Sequence, residues 1–383
     1  MDFKDEIDTK VKVDPRNAIE LPKMESKDQI DTKDKIAIKN KIDPKNATEL
    51  LKAAQTCKVV LAGTVAKGLL AEIQHTLLEM SDTRLGGPYG VNFHNPVFKL
   101  VGFLANDDPA AKVYADFCAK TCVENGFEFE LRQVTKEKIE EAILAANVDK
   151  SVHGIIVYYP IFPKASRQDQ YIQQLVSLDK DVEGLTHKYT FNMYQNIRFL
   201  DPPHNERKSI LPCTSLAVVK VLEHLRIYHS SLPYGNRLYG RTITVINRSE
   251  VVGRPLAALL ANDGAKVYSV DIDGVQLFTR GKGIKNHKHE VLEKPGWTVR
   301  DCLPISSVVI SGVPGDYKID SDLIKDGATC INISSEKNFD AATVKDHAAF
   351  YVPAIGKVTI AVLLRNLCRL VWNYRLEQMR LAR

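Results

Sequence analysis

The sequence predicts an α/β fold: two α/β lobes with a cleft between them, the second a Rossmann-type nucleotide-binding domain. Three observations carry that reading. From about residue 57, short apolar runs of strand length alternate with amphipathic helical stretches, the pattern of a mostly parallel sheet. A polar, proline-bearing stretch, RFLDPPHNERKS (198–209), breaks the alternation midway and reads as a domain hinge. Beyond it, TITVINRSEVVGRP (242–255) runs from a buried strand through a turn into a helix, an order that aims backbone N–H groups at a phosphate. A chain of 383 residues suffices for two domains of ordinary size.

Taken in order, the first segment is the exception. Residues 1–56 read as a mobile charged extension with no catalytic part. Residues 1–55 hold no glycine or cysteine and one aromatic, Phe3, and their 12 basic side chains balance 12 acidic ones. So little apolar surface does not offset the entropy of ordering. KDEIDTKVKVDPRNAIEL (4–21) returns as KDKIAIKNKIDPKNATEL (33–50), identical at 11 of 18 positions, a single duplication and too few copies for a solenoid. With Arg16 its one arginine, the segment also lacks the composition of a mitochondrial presequence.

The first lobe is expected over 57–210. KGLLAEIQHTLLEM (67–80) is an amphipathic helix, VFKLVGFLA (97–105) a strand, and DPAAKVYADFCAKTCVENG (108–126) a helix with an acidic start and a glycine stop. FEFELRQV, EKIEEAILAAN, GIIVYYP and DQYIQQLVSL continue strand, helix, strand, helix. The second lobe, 211–345, opens with the helix CTSLAVVKVLEHL (213–225) and has RTITVIN (241–247) as its central strand. AKVYSVD (265–271), SVVISGVP (307–314) and ATCINIS (328–334) add strands, and 346–383 ends in a long helix returning to the first lobe.

Of the three glycines that usually line a dinucleotide turn, only Gly253 is present. Asn247 is able to take the positive-φ backbone of the first. Gly253 permits close backbone approach, and Pro255 suits a first helical turn. Arg248 and Ser249 offer a charge and a hydroxyl to a phosphate. Asp271, followed by Ile272, ends the next strand 18 residues after Gly253, where an acid accepts hydrogen bonds from an adenosine ribose. A carboxylate there repels a 2′-phosphate and favours NAD over NADP. The alternative is a capping aspartate in a nucleotide-free α/β unit.

Composition excludes other classes. No apolar run approaches the roughly 18 residues needed to span a bilayer. The net charge of +5 is spread along the chain rather than gathered in one basic patch, which argues against nucleic acid. Seven cysteines without a C-x-x-C pair indicate reduced thiols and a cytoplasmic setting. His287 and His289 lie in a lysine-rich stretch without further ligands and read as solvated loop, so no metal is expected.

RSEVVGRP (248–255), LPCTS (211–215), KDVEGL (180–185), GIIVYYP (154–160) and GKVTIAVLL (356–364) occur in an order and spacing that resembles the methylenetetrahydrofolate dehydrogenase/cyclohydrolase family, most of all its monofunctional NAD-dependent fungal members. The likeness covers about 57–383. It implies NAD-dependent oxidation of 5,10-methylenetetrahydrofolate to 5,10-methenyltetrahydrofolate in one-carbon metabolism, supplying purine synthesis. It also implies a polyglutamylated substrate and a homodimer formed through the second lobe.

In the family's bifunctional members the first active-site helix carries Tyr-x-x-x-Lys, the lysine serving as acid and base in the cyclohydrolase step. Here YADFC keeps Tyr114 but places Cys118 at the lysine position, on the same helical face. Hydride loss from the one-carbon bridge leaves a cation delocalised over two nitrogens, so oxidation needs orientation rather than a strong base. Hydrolysis of that cation needs general acid–base work. Losing the lysine spares the first step and cripples the second. Tyr158 stands where those members have the glutamine that partners the lysine.

The resemblance also assigns Glu183 to the pterin, and Cys213 to the junction of nicotinamide and folate bridge, where it shapes or polarises rather than attacks. Cys213 reads equally as a small buried thiol packing a helix start. Gly312, Val313, Pro314, Ile333, Ser334 and Ser335 fall along the nicotinamide and its ribose, and Pro353 and Gly356 in the folate pocket. VPAIGKVT (352–359) departs there from the family's P-G-G-V-G-P-x-T by a residue and two glycines. Arg248 is expected to pair with Asp271 or the pyrophosphate. The basic run Arg280–Lys288 reads as a surface loop, with reach to a 2′-phosphate as the alternative. Two rival functions stay open: a bifunctional dehydrogenase/cyclohydrolase, and a non-catalytic NAD-binding regulatory protein.

Overall fold

Two sheets organise the chain in a computed structural model that describes residues 56–81, 98–163 and 166–381. The duplication in 1–55 lies outside the described residues. The chain enters through β1 (Lys58–Val59) and α1 (Ala62–Ser81). Then β2 (Lys99–Leu104), α2 (Pro109–Glu124), β3 (Glu128–Gln133), α3 (Ile139–Val148), β4 (Gly154–Val157) and α4 (Gln168–Leu175) alternate as predicted. Their three strands form a parallel sheet in the order β3-β2-β4. Central β2 is buried almost throughout, while edge strand β3 carries Glu128, Glu130 and Arg132, charges that blunt an open edge. α2 starts where it does because Asp108 accepts the Ala110 N–H at 2.9 Å and Pro109 occupies its first turn; Gly126, at φ 80°, follows its end.

After α5 (His187–Tyr194) and α6 (Cys213–His224), the second sheet begins with β5 (Thr242–Ile246), α7 (Gly253–Asn262) and β6 (Lys266–Asp271). β7 (Gly274–Thr279), β8 (Glu290–Glu293), β9 (Val308–Ser311), β10 (Ala328–Asn332) and β11 (Ala348–Val352) follow. The eight strands run β1-β11-β10-β9-β5-β6-β7-β8, parallel except at β6–β7 and β7–β8. Two strands cross the boundaries read from sequence. β1, placed with the first lobe, hydrogen-bonds to β11, and β11, placed with the returning segment, belongs to the second sheet. A two-residue strand leaves no periodic signal, so only backbone pairing reveals its sheet. The antiparallel β7 and β8 are likewise absent from the sequence reading; a two-residue connection, Ile272–Asp273, turns the chain back.

The stretch read as a hinge is a looped excursion. Phe199 and Lys208 pair antiparallel, and ion pairs from Arg207 to Glu377 (3.0 Å) and from Arg380 to Asp201 (2.7 Å) tie it to the last helix, α8 (Gly356–Leu381). α8 lies along α1 and α6 and feeds an apolar core that draws on both lobes, from Leu100 to Ile243. Within that core Asn366 is buried, its Nδ2 donating to the carbonyls of Val182 (2.8 Å) and Leu211 (3.2 Å). Asn366→Leu leaves both carbonyls without this donor, and its expected cost in urea denaturation is about 2 kcal/mol. No helix among the described residues is long and apolar enough to cross a membrane.

Candidate active site

The first half of the site hangs on β4. Tyr158 turns inward against β2 because Gly102 has no side chain: a Cβ there would lie 3.0 Å from the Tyr158 ring and 2.9 Å from Phe129. Asn106 Nδ2 donates to the carbonyls of Tyr158 (2.9 Å) and Pro160 (2.8 Å), fixing the strand end. The Tyr158 ring meets Tyr114 of α2 edge-on, with centroids 6.0 Å apart. Tyr158 is buried, and its hydroxyl neighbours the Cys118 thiol. Cys118, one turn after Tyr114, is fully buried. The S–H of Cys122 and then Tyr158 draw Cys118 downward against burial, while Cys122 is pushed strongly up; no basic side chain contributes to either shift. Lys120 lies 3.9 Å from Glu124 on the exposed face. The helix therefore presents no amine one turn after Tyr114, where the resemblance leads one to expect a lysine in a bifunctional enzyme.

Glu183 joins this pocket from the loop after β4 and α4. Its Oε2 accepts the Val157 N–H at 3.0 Å. Burial pushes its carboxyl up to about 8 in spite of that hydrogen bond. The loop is held from several sides. Asp181 accepts the N–H groups of Gly184 (2.8 Å) and Thr186 (2.9 Å), and Asn366 grips Val182. Gly184 sits at φ 70°, where a Cβ would lie 2.7 Å from the Leu211 backbone. The Glu183 carbonyl accepts the Cys213 N–H at 3.0 Å, so one short segment sets both the acid and the thiol that opens α6. Burial and then Glu183 push the Cys213 thiol far up, leaving it neutral and a poor nucleophile. Tyr114 is pushed well up by burial, then by Cys213, Cys118 and Glu183.

The second half is the turn after β5. Asn247 takes φ 85°, the left-handed backbone predicted for it, and its Nδ2 donates to the Gly312 carbonyl at 2.5 Å. Its Oδ1 accepts the Ser249 N–H (3.0 Å), and the Ser249 hydroxyl accepts the Gly253 N–H (3.3 Å) at the start of α7. Gly253 packs backbone against backbone; a Cβ there would stand 1.8 Å from the Asn247 carbonyl oxygen. Asp271 accepts the N–H groups of Arg248 (2.5 Å) and Ile272 (2.7 Å), and Ile272 is wholly exposed at the hairpin tip. These residues suit a dinucleotide: a turn packed on a glycine, the N-terminal end of a helix and a carboxylate at the next strand end.

The expected pairing of Arg248 with Asp271 is corrected in one respect. Only the Arg248 backbone meets Asp271, while the guanidinium lies 3.2 Å from Asp273. The Arg280–Lys288 run joins β7 to β8, and the Arg280 guanidinium is spent on the carbonyls of Asn286 (2.7 Å), Asn262 (3.0 Å) and Gly235 (3.1 Å). His289 is no solvated loop residue. It stacks on Phe278 with centroids 5.4 Å apart, and burial drives its imidazole down to about 4.

The remaining candidates line the ends of β9 and β10. Gly312 makes room for Ile333, which a Cβ would approach to 2.8 Å, and Ile333 N–H donates to Ser311 at 2.8 Å. Ser334 Oγ donates to the Val313 carbonyl (3.1 Å), while Pro314 and Ser335 are exposed beside them. Asn338, missed in the sequence, is fully buried and ties these loops together. Its Oδ1 accepts from Ser311 Oγ and Val313 N–H, both at 2.9 Å, and its Nδ2 donates to Val313 (2.9 Å). Asn332 Nδ2 reaches the Pro353 carbonyl at 3.3 Å, joining these loops to the α8 start. Gly356 opens α8 in free space, and Lys357, also missed, sets its ammonium 5.5 Å over the Phe117 ring of α2. The two halves meet at α6, where Ser215 Oγ donates to the Val252 carbonyl (3.1 Å) two residues after Cys213.

Comparison with known proteins shows the family. The family profile described as tetrahydrofolate dehydrogenase/cyclohydrolase, catalytic domain, matches residues 62–183. Methylenetetrahydrofolate dehydrogenase [NAD(+)] of Schizosaccharomyces pombe is 57% identical over 325 residues, covering 84% of this chain and 95% of its own. The Saccharomyces cerevisiae protein of the same name is 52% identical, covering 84% of this chain and 98% of its own. The solved structure of the Saccharomyces cerevisiae NAD-dependent 5,10-methylenetetrahydrofolate dehydrogenase superposes with a TM-score of 0.76 at 51% identity, covering 84% of this chain and 99% of that one. The strand–turn–helix without its usual glycines, the acid on its clamped loop and these likenesses lead to one assignment: the chain belongs to the tetrahydrofolate dehydrogenase/cyclohydrolase family.

Proposed function

We propose that the chain oxidises 5,10-methylenetetrahydrofolate to 5,10-methenyltetrahydrofolate with NAD and lacks efficient cyclohydrolase activity. The observation that carries it is the convergence of the two half-sites on the first turn of α6, through Cys213 on one side and Ser215 on the other. Bound NAD supplies the hydride acceptor. Gly253, Ser249 and the α7 start would hold its phosphates, Asp271 the adenosine ribose, and the loops tied by Asn338 the nicotinamide end. Glu183 would hold the pterin, and Tyr114 and Tyr158 would wall the pocket and exclude water. What the chain contributes to hydride transfer is orientation. What it lacks is a basic side chain at position 118: Cys118 is fully buried and no cation among the described residues acts on its thiol, so hydrolysis of the product is left to the solvent.

By the same family likeness the enzyme acts in the cytoplasm as a homodimer through its second lobe, on polyglutamylated folate, and feeds purine synthesis. The exposed Lys357 at the pocket rim offers a cation to the glutamate tail. The test is NADH formation when purified protein meets 5,10-methylenetetrahydrofolate and NAD. Steady turnover is expected. A folded sample that turns over with neither NAD nor NADP would refute the activity.

Tyr158 gives a sharper check. If its buried hydroxyl meets a substrate atom, Tyr158→Phe raises the folate KM about fivefold and leaves kcat nearly intact. An unchanged folate KM in Tyr158→Phe would contradict this account.

A further inference from the structure

Arg248 is the cation of the nucleotide turn, yet its guanidinium is folded away from that turn. Nε donates to Ser269 Oγ (3.3 Å), and Nη2 donates to the carbonyls of Gly274 (2.6 Å) and Ser269 (3.3 Å). Nη1 lies 3.2 Å from Asp273 Oδ1, and the side chain is only 9% exposed. Its neighbour Arg254 is engaged too, 2.8 Å from Glu250. Asp271 needs neither arginine side chain, since two backbone N–H groups satisfy its carboxylate. Thus the tight β6–β7 hairpin takes up the arginine side chain, and among the described residues Asp273 in its two-residue connection is the one charged group that holds it.

The chemistry of the adenosine ribose gives this arrangement a consequence. A 2′-hydroxyl at the end of β6 is satisfied by a carboxylate, whereas a 2′-phosphate needs a nearby arginine. An ion pair whose carboxylate is as exposed as that of Asp273 adds little to stability, so its effect lies in where it keeps the charge. We infer that Asp273 is a positioning residue for cofactor choice: by holding the Arg248 guanidinium in the hairpin, it denies a 2′-phosphate its cation and biases the site against NADP. This rests on the nucleotide seat proposed above.

The experiment measures kcat/KM for NAD and NADP in the wild type, Asp273→Asn, Arg248→Gln and the double variant. Asp273→Asn is expected to raise the NADP-to-NAD ratio about tenfold, chiefly through a lower KM for NADP, as the freed guanidinium meets the phosphate. In the Arg248→Gln background the same substitution is expected to move the ratio by less than about twofold, since the cation it would release is gone. A ratio unmoved by Asp273→Asn, with NAD turnover present, overturns the inference. An equal gain in the Arg248→Gln background also overturns it, because repulsion by the Asp273 carboxylate alone would then account for selectivity. A wild type that does not turn over with NAD is a separate result, refuting the nucleotide seat and this inference with it.

Discussion

Gly253→Ala is expected to abolish efficient NAD-dependent turnover. The added Cβ would fall 1.8 Å from the Asn247 carbonyl oxygen and 2.8 Å from its carbon, both backbone atoms with no rotamer to yield. The turn is also fastened on its far side, with Asn247 at φ 85° and its amide bonded to the Gly312 carbonyl. Relief therefore requires β5, the turn or α7 to move by about an ångström, and a displacement of that size costs roughly 100-fold in a positioned reaction. The expected result is a kcat/KM for NAD lowered by that factor or more, with the stabilisation by added NAD lost in a thermal melt. Retention of both would show that the turn does not hold the cofactor.

Glu183→Gln is expected to have the next largest effect, and a distinctive pH signature. The free carboxyl is raised from 4.5 to about 8 by burial, so the fold favours its protonated form. A group raised in this way contributes stability fully below pH 4.5, and that contribution is lost as pH climbs through about 8. The wild type is therefore expected to lose melting temperature relative to Glu183→Gln across that window. Binding runs the other way. The pterin edge offers N–H donors, which the carboxylate accepts and the carboxylic acid accepts less well, so folate KM falls as pH rises towards 8 and beyond. Glu183→Gln flattens that dependence and raises KM roughly 30-fold, the scale of a hydrogen bond to a charged group. Parallel pH profiles for the two proteins would remove Glu183 from the pterin.

Much of this was legible in the residues. The alternation of strand and helix, the acidic cap at Asp108 and the positive φ at Asn247 each follow from local chemistry, and each appears where the sequence places it. What stayed hidden depends on partners distant in sequence. Asn366 and Asn338 look like ordinary polar residues until their carbonyl partners, 184 residues away in one case, come into view. Arg248 reads as a phosphate ligand because its neighbours in the chain suggest one, but its acceptors lie across a hairpin that carries no strong strand signal. β1 is too short to show a period, and it joins the sheet of the other lobe.

The central claim is an oxidation that stops at the methenyl product. The most direct measurement follows NADH and 5,10-methenyltetrahydrofolate together in one reaction, then repeats the methenyl decay at several enzyme concentrations. The expected result is one methenyl formed for each NADH, decaying at the buffer's own rate whatever the amount of protein. A decay that quickens in proportion to enzyme would show that the pocket around Cys118 and Tyr158 activates water after all, and would contradict the account.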